Sequence, residues 1–199
     1  MNIRVKYLII LVLHNICFPY NSNYVTTANI ATIIPVIDGI VIDDPAWESL
    51  IEINKFTQKS PNEGEAVTEK TVVKVMFSND ILYISTVCYD DSPEKIVITD
   101  TRRDAPLLNT DSFMFILDTF QDQQNGYVFG TNAGGIEYDA QVSKGGEGMS
   151  ISTRRQSVGI GDAFNINWDA AWDVKTQIGD YGWSAEFAIP FKTLRFSGE

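Results

Sequence analysis

The chain has 199 residues, 44% hydrophobic and 12% aromatic, with a formal net charge of -11. That length supports one well-buried domain and is short for two. An acidic balance without clustered Lys and Arg argues against a nucleic-acid or anionic-membrane surface and is compatible with neutral partners such as glycans, or with plain solubility.

The first 28 residues read as a signal peptide. Arg4 and Lys6 form a basic start, and "YLIILVL" (7–13) is an apolar run too short to span a bilayer as a helix. A small-residue cleavage site falls at "TTA", after Ala28. Cys17 invites lipidation, but "HNIC" lacks the small residues of a lipobox, so secretion across the inner membrane is the leading expectation. Cleavage removes His14, the single histidine, together with Cys17. A Ser-His-Asp triad, a Cys-His pair and a His/Cys zinc site are then excluded. Cys88 is left without a partner for an internal disulfide, and it reads as a small buried hydrophobe. Carboxylate chemistry, an oxygen-ligated ion or no chemistry at all remain.

Residues 29–34 read as a linker, and the domain as 35–199. "DDPAWESL" (43–50) starts a short helix, with Asp44 as N-cap and Pro45 at the first helical position. Trp47 in it is expected to plug one end of the core. "TVVKVMFS" (71–78) and "ILYISTVCYDD" (81–91) flank the turn "SND" as a hairpin. "SFMFILDTF" (112–120) is apolar on both parities, which predicts a central strand covered on both faces. "QDQQNG" leads to "YVFGTN", and "NAGG" turns that strand into "IEYDAQV". Residues 143–162 are rich in Gly and Ser and read as a long loop. "AAWDVKTQI", the turn "GDYG" and "WSAEFAIPF" make a further hairpin. Many short strands with little helix predict an all-β fold: an antiparallel β-sandwich, jelly-roll-like, with one short N-terminal helix.

Three of the four tryptophans lie between residues 167 and 191. Strand side chains alternate between faces. Trp172 shares its parity with Val174, and Trp183 with Ala185, Phe187 and Ile189, so both read as core. Ser184 and Glu186 face the other way. Trp168 is different: it ends the Gly-rich loop, between Asn167 and Asp169. An indole beside amide and carboxylate groups suits stacking on a sugar ring; the competing reading is a loop anchor. "TRRD" (101–104) and Asp111 form a second cluster. Arg103 and Asp111 either orient ligand hydroxyls or pin the loop by ion pairs. Asn132 and Asp139 flank the "NAGG" turn. Asn132 either sets that turn or points, with Asp139, at a ligand.

No two carboxylates stand out as a glycosidase pair, which would sit about 5–5.5 Å or 6.5–9.5 Å apart. No catalytic residue is therefore assigned. "YDDS" (89–92) and "DTFQDQQNG" (118–126) offer turn oxygens of the type calcium takes, though neither matches an EF-hand loop. No other cofactor is implied.

"IDGIVIDDPAWESL", "SPNEGEAVTEKTVVKVMFSNDILYISTVCYDDSPEKI", "TRRDAPLLNTDSFMFILDTFQDQQNGYVFGTNAGGIEYDAQ" and "WDAAWDVKTQIGDYGWSAEFAIPFKTLRF" together resemble the carbohydrate-binding module family nine-like domain. More narrowly, they resemble the version at the N-terminus of large bacterial envelope proteins whose longer C-terminal part is predicted to form an outer-membrane β-barrel. The resemblance runs from about Pro35 to Phe196 and implies a sugar-binding sandwich. It also implies that 35–199 is truncated at its C-terminus, because those proteins continue past "LRF". The leading expectation is non-catalytic binding of a polysaccharide or oligosaccharide, in carbohydrate catabolism, with Trp168 as platform and Arg103, Asp111, Asn132 and Asp139 as polar contacts. One alternative is a periplasmic or surface interaction domain of an outer-membrane barrel protein. A weaker one is an accessory domain of an O-glycosyl hydrolase.

Overall fold

The computed structural model describes residues 26–146 and 163–195. Arg4, Lys6, His14 and Cys17 lie outside the described residues, as does most of the Gly- and Ser-rich loop, 147–162.

Two sheets form a β-sandwich. The hairpin expected at 71–91 is strands β2 (Thr71–Phe77) and β3 (Ile81–Tyr89), in register from Thr71–Cys88 to Phe77–Leu82. The last hairpin is β8 (Asp173–Gly179) and β9 (Gly182–Pro190), and β9 pairs antiparallel with β3 along its whole length. A short strand β1 (Asn29–Ile30) runs parallel to β2, within the stretch that reads as a linker. The five-stranded order is therefore β1-β2-β3-β9-β8. The second sheet contains β4 (Ser112–Leu117), β5 (Gly126–Asn132), β6 (Tyr138–Val142) and β7 (Phe164–Asn165), in that order and all antiparallel.

The facing surfaces bury one central core. β2 and β3 supply Val73, Val75, Leu82 and Ile84; β9 supplies Trp183, Ala185, Phe187 and Ile189; β4 and β5 supply Phe115, Leu117, Tyr127 and Phe129. Aromatic rings join the sheets. Across the sandwich Phe115 meets Phe187 edge-on at 5.2 Å and Phe129 meets Trp172 edge-on at 5.2 Å, while Trp172, beside β8, stacks on Phe187 of the same side with centroids 5.8 Å apart and planes within 5°. Such offset and edge contacts add to area burial. Trp172 and Trp183 are core, as their parity predicts.

Both sheets also carry an apolar outer layer. On the four-stranded sheet, Ile116, Val128, Tyr138, Ala140 and Val142 lie under Ala105 and Leu107 of the preceding loop. On the five-stranded sheet, Met76, Tyr83, Val87 and Ala188 lie under Val41, Ala46 and Trp47. These covers explain strands that are apolar on both parities. They also correct two expectations. Residues 112–117 are an edge strand, not a central one, and Met114 on it is exposed; its double-sided apolar pattern comes from a covering loop. Trp47 is fully buried, but against the outer face of the five-stranded sheet instead of at an end of the sandwich.

Helix α1 (Pro45–Glu48) is the short N-terminal helix expected from "DDPAWESL". The Asp44 carboxylate accepts the Ala46 N–H at 2.8 Å, the N-cap bond that the sequence predicts. Among the described residues no helix is long and apolar enough to cross a membrane.

Candidate functional site

β7 covers only Gln141 and Val142 of β6, which leaves Tyr138 and Asp139, with Glu137 just before the strand, on an open edge. The "TRRD" loop fills that edge. The Asp104 N–H donates to the Glu137 carbonyl at 3.0 Å, and the Asp139 N–H to the Asp104 carboxylate at 3.4 Å. This places Arg103 at the rim of the sandwich. Its guanidinium bonds Glu137, reaches Asp139 and Asp169 at 2.5 Å each, and lies 3.6 Å from Asp104. One cation thus gathers four carboxylates, which leaves the rim acidic.

Asp139 faces inward and is fully buried. Besides Arg103 it accepts the Ala170 N–H at 2.8 Å and the Trp172 indole N–H at 3.3 Å. Burial pushes its carboxyl above the ordinary range, against the pull of those donors and of Arg103. Asp139 therefore ties β6 to the 169–172 segment and fixes where Trp168 sits.

Trp168 is the one partly exposed indole of the four. Its ring rests on Tyr127 at 4.6 Å and meets Phe129 edge-on at 5.9 Å. Asp169, mostly exposed, follows it and bonds Arg103. An aromatic surface supported from beneath, with a guanidinium and carboxylates alongside, can take the C–H face of a sugar and bond its hydroxyls.

The structure brings Arg103 and Asp139 to Trp168 and leaves Asp111 and Asn132 elsewhere. Asn132 is buried, with its amide donating to the Asp100 carbonyl and accepting from the Gly134 N–H. The Asp111 carboxylate accepts the Val97 N–H at 2.7 Å. Both hold the loop from 97 to 111 against the "NAGG" turn. Arg102 pairs instead with Asp100, whose carboxyl it holds well below the usual range. The sequence reading groups Asp104 with Arg103 in "TRRD" but misses Glu137 and Asp169 as Arg103 partners. Asp104 adjoins Arg103 in sequence, but nothing local marks the other two.

Among the described residues no His, Cys, Asp and Glu side chains form a group of three or more arranged to hold a metal. In "DTFQDQQNG", Asp118 and Asp122 accept backbone N–H groups of their own turn, and in "YDDS" Asp90 accepts the Ser92 N–H. The Cys88 thiol is pushed up to about 11 by burial, which makes it unreactive.

No family model matches the chain, and no curated protein matches it. Solved structures of similar shape include a carbohydrate binding module family 9 protein from Caldicellulosiruptor kristjanssonii in complex with glucose, at 17% identity and a TM-score of 0.48, covering 86% of this chain and 72% of that one. A second, in complex with cellotriose, has 18% identity and a TM-score of 0.48, covering 86% of this chain and 68% of that one.

Proposed function

We propose that this chain is a non-catalytic carbohydrate-binding module that holds a saccharide against Trp168. One observation carries the reading: three indoles are spent on packing, and the fourth is left partly exposed on an aromatic base beside the Arg103 cluster. The resemblance of the sequence to the family nine-like domain supports the same class. Arg103 and Asp169 are the polar contacts at the rim, and Asp139 positions them from below.

The carboxylates speak against autonomous hydrolysis. Asp139 and Glu186 are the two with raised pKa among the described residues, and both are sealed from solvent. They lie on different sheets, one facing inward and one outward. Glu137 and Asp169 are both tied to one guanidinium, that of Arg103.

The test is a tryptophan-fluorescence titration with glucose, cellotriose and a panel of soluble plant and bacterial polysaccharides, with and without calcium. A saturable shift that disappears in a folded Trp168→Ala variant is the expected result. A folded parent that responds to no saccharide overturns the reading.

A second reading, an exported interaction domain of an envelope protein, is favoured by a different observation. Ile30, Ile33, Ile34, Val36 and Ile40 are all about half exposed or more. So dense an apolar stretch on a surface suits a protein partner. The N-terminal targeting pattern suits export in either case.

A further inference from the structure

On the outer face of the five-stranded sheet, a cavity of about 300 Å³ opens between α1 and strands β2 and β3. Val72, Ser85 and Val87 of the sheet line it, with Trp47 and Tyr89. Ser85 is 1% exposed, and its hydroxyl has no hydrogen-bond partner. Buried hydroxyls are normally paired, and an unmade bond there is costly. Its cross-strand neighbours, Lys74 on β2 and Glu186 on β9, are both committed elsewhere. The Lys74 ammonium donates to the Trp47 carbonyl at 3.1 Å, and Glu186 accepts from Trp47, Asp38 and Gly39. The fold therefore supplies no reason for a serine at this place.

The mouth of the cavity is acidic. Asp43, Asp44, Glu48 and Glu52 line it against the single ammonium of Lys74. Asp44 caps α1, and Glu52 lies 3.9 Å from Lys74. The carboxylates of Asp43 and Glu48 have no hydrogen-bond or ion-pair partner among the described residues. An anion is repelled by this mouth, and a purely apolar guest leaves Ser85 unpaired.

We propose that the cavity binds a small protonated amine that carries hydroxyl groups. Its ammonium faces Glu48 and Asp43, and a hydroxyl pairs with the Ser85 Oγ. This site is independent of Trp168 and of the saccharide reading.

The experiment is a ¹H–¹⁵N NMR titration of the whole chain in phosphate buffer with 2-amino-1,3-propanediol, and in parallel with glycerol, which differs only in carrying a hydroxyl in place of the ammonium. The amine is expected to shift the Ser85 and Val87 amides and the Trp47 indole saturably, and glycerol is not. Ser85→Ala loses no protein hydrogen bond, so it folds, and its amine affinity falls about tenfold. Glu48→Gln, at an exposed position, weakens binding about threefold and flattens its salt dependence. The proposal is overturned by an amine that gives no saturable shift, by glycerol binding equally well, by Ser85→Ala binding as the parent does, or by shifts confined to Trp168.

Discussion

Glu186 is a buried carboxylate that makes no ion pair among the described residues, although Lys175 stands opposite it on β8. It is fully buried, and it accepts the Trp47 indole N–H at 2.7 Å and the Asp38 and Gly39 N–H groups at 2.9 and 2.8 Å. Burial outweighs these donors and raises its pKa. A carboxyl whose folded pKa is raised binds its proton more tightly in the native state. Its contribution to stability is therefore greatest below the ordinary carboxylate range, near pH 4, and declines as pH rises through the folded value. Urea unfolding between pH 4 and 7 is expected to show stability falling with pH. Glu186→Gln should flatten part of that slope. It should also cost about 1–3 kcal/mol throughout, because an amide cannot accept on both sides and turns a donor toward a donor. An unchanged slope in the variant would assign the pH dependence to other groups. Parity placed Glu186 opposite Trp183 in the sequence, but alternation alone does not say that residues 37–50 fold over that face. The partner that buries Glu186 lies more than 130 positions away.

At the level of elements, the turn at Asp38–Gly39 fixes that cover. Gly39 has φ +90, and a Cβ there would meet the Thr176 backbone on β8 at 2.5 Å. Its carbonyl accepts the Ser184 hydroxyl at 2.6 Å while its N–H serves Glu186. Gly39→Ala meets both a strained dihedral and a backbone clash. It should cost on the order of 2–4 kcal/mol in chemical denaturation; a loss under about 0.5 kcal/mol would mean that the cover is not anchored at this turn. The strands and hairpins were legible because their turns carry Asn, Asp and Gly between alternating runs. β4 was misread for a physical reason. An apolar residue facing outward reports a cover without saying whether a strand or a loop provides it. Here Ile116 packs under the loop residues Ala105 and Leu107.

For the whole molecule, the sandwich was legible and the site only in part. Arg103 and Asp139 were singled out separately, and their meeting depends on β6 having an open edge, which is a property of sheet order. Asn132 and Asp111 carry the same polar chemistry, but it is consumed by the turn they hold. The division of the tryptophans has a consequence for light as well as for packing. Trp47, Trp172 and Trp183 are sealed within the fold, and Trp168 alone is open to a colliding solute. Acrylamide quenching of the native protein should reach one minor fraction of the emission, and Trp168→Phe should remove that fraction while leaving the rest dark to the quencher. The rim thus carries its own optical reporter, and a guest that settles on it shields the same indole that announces its arrival.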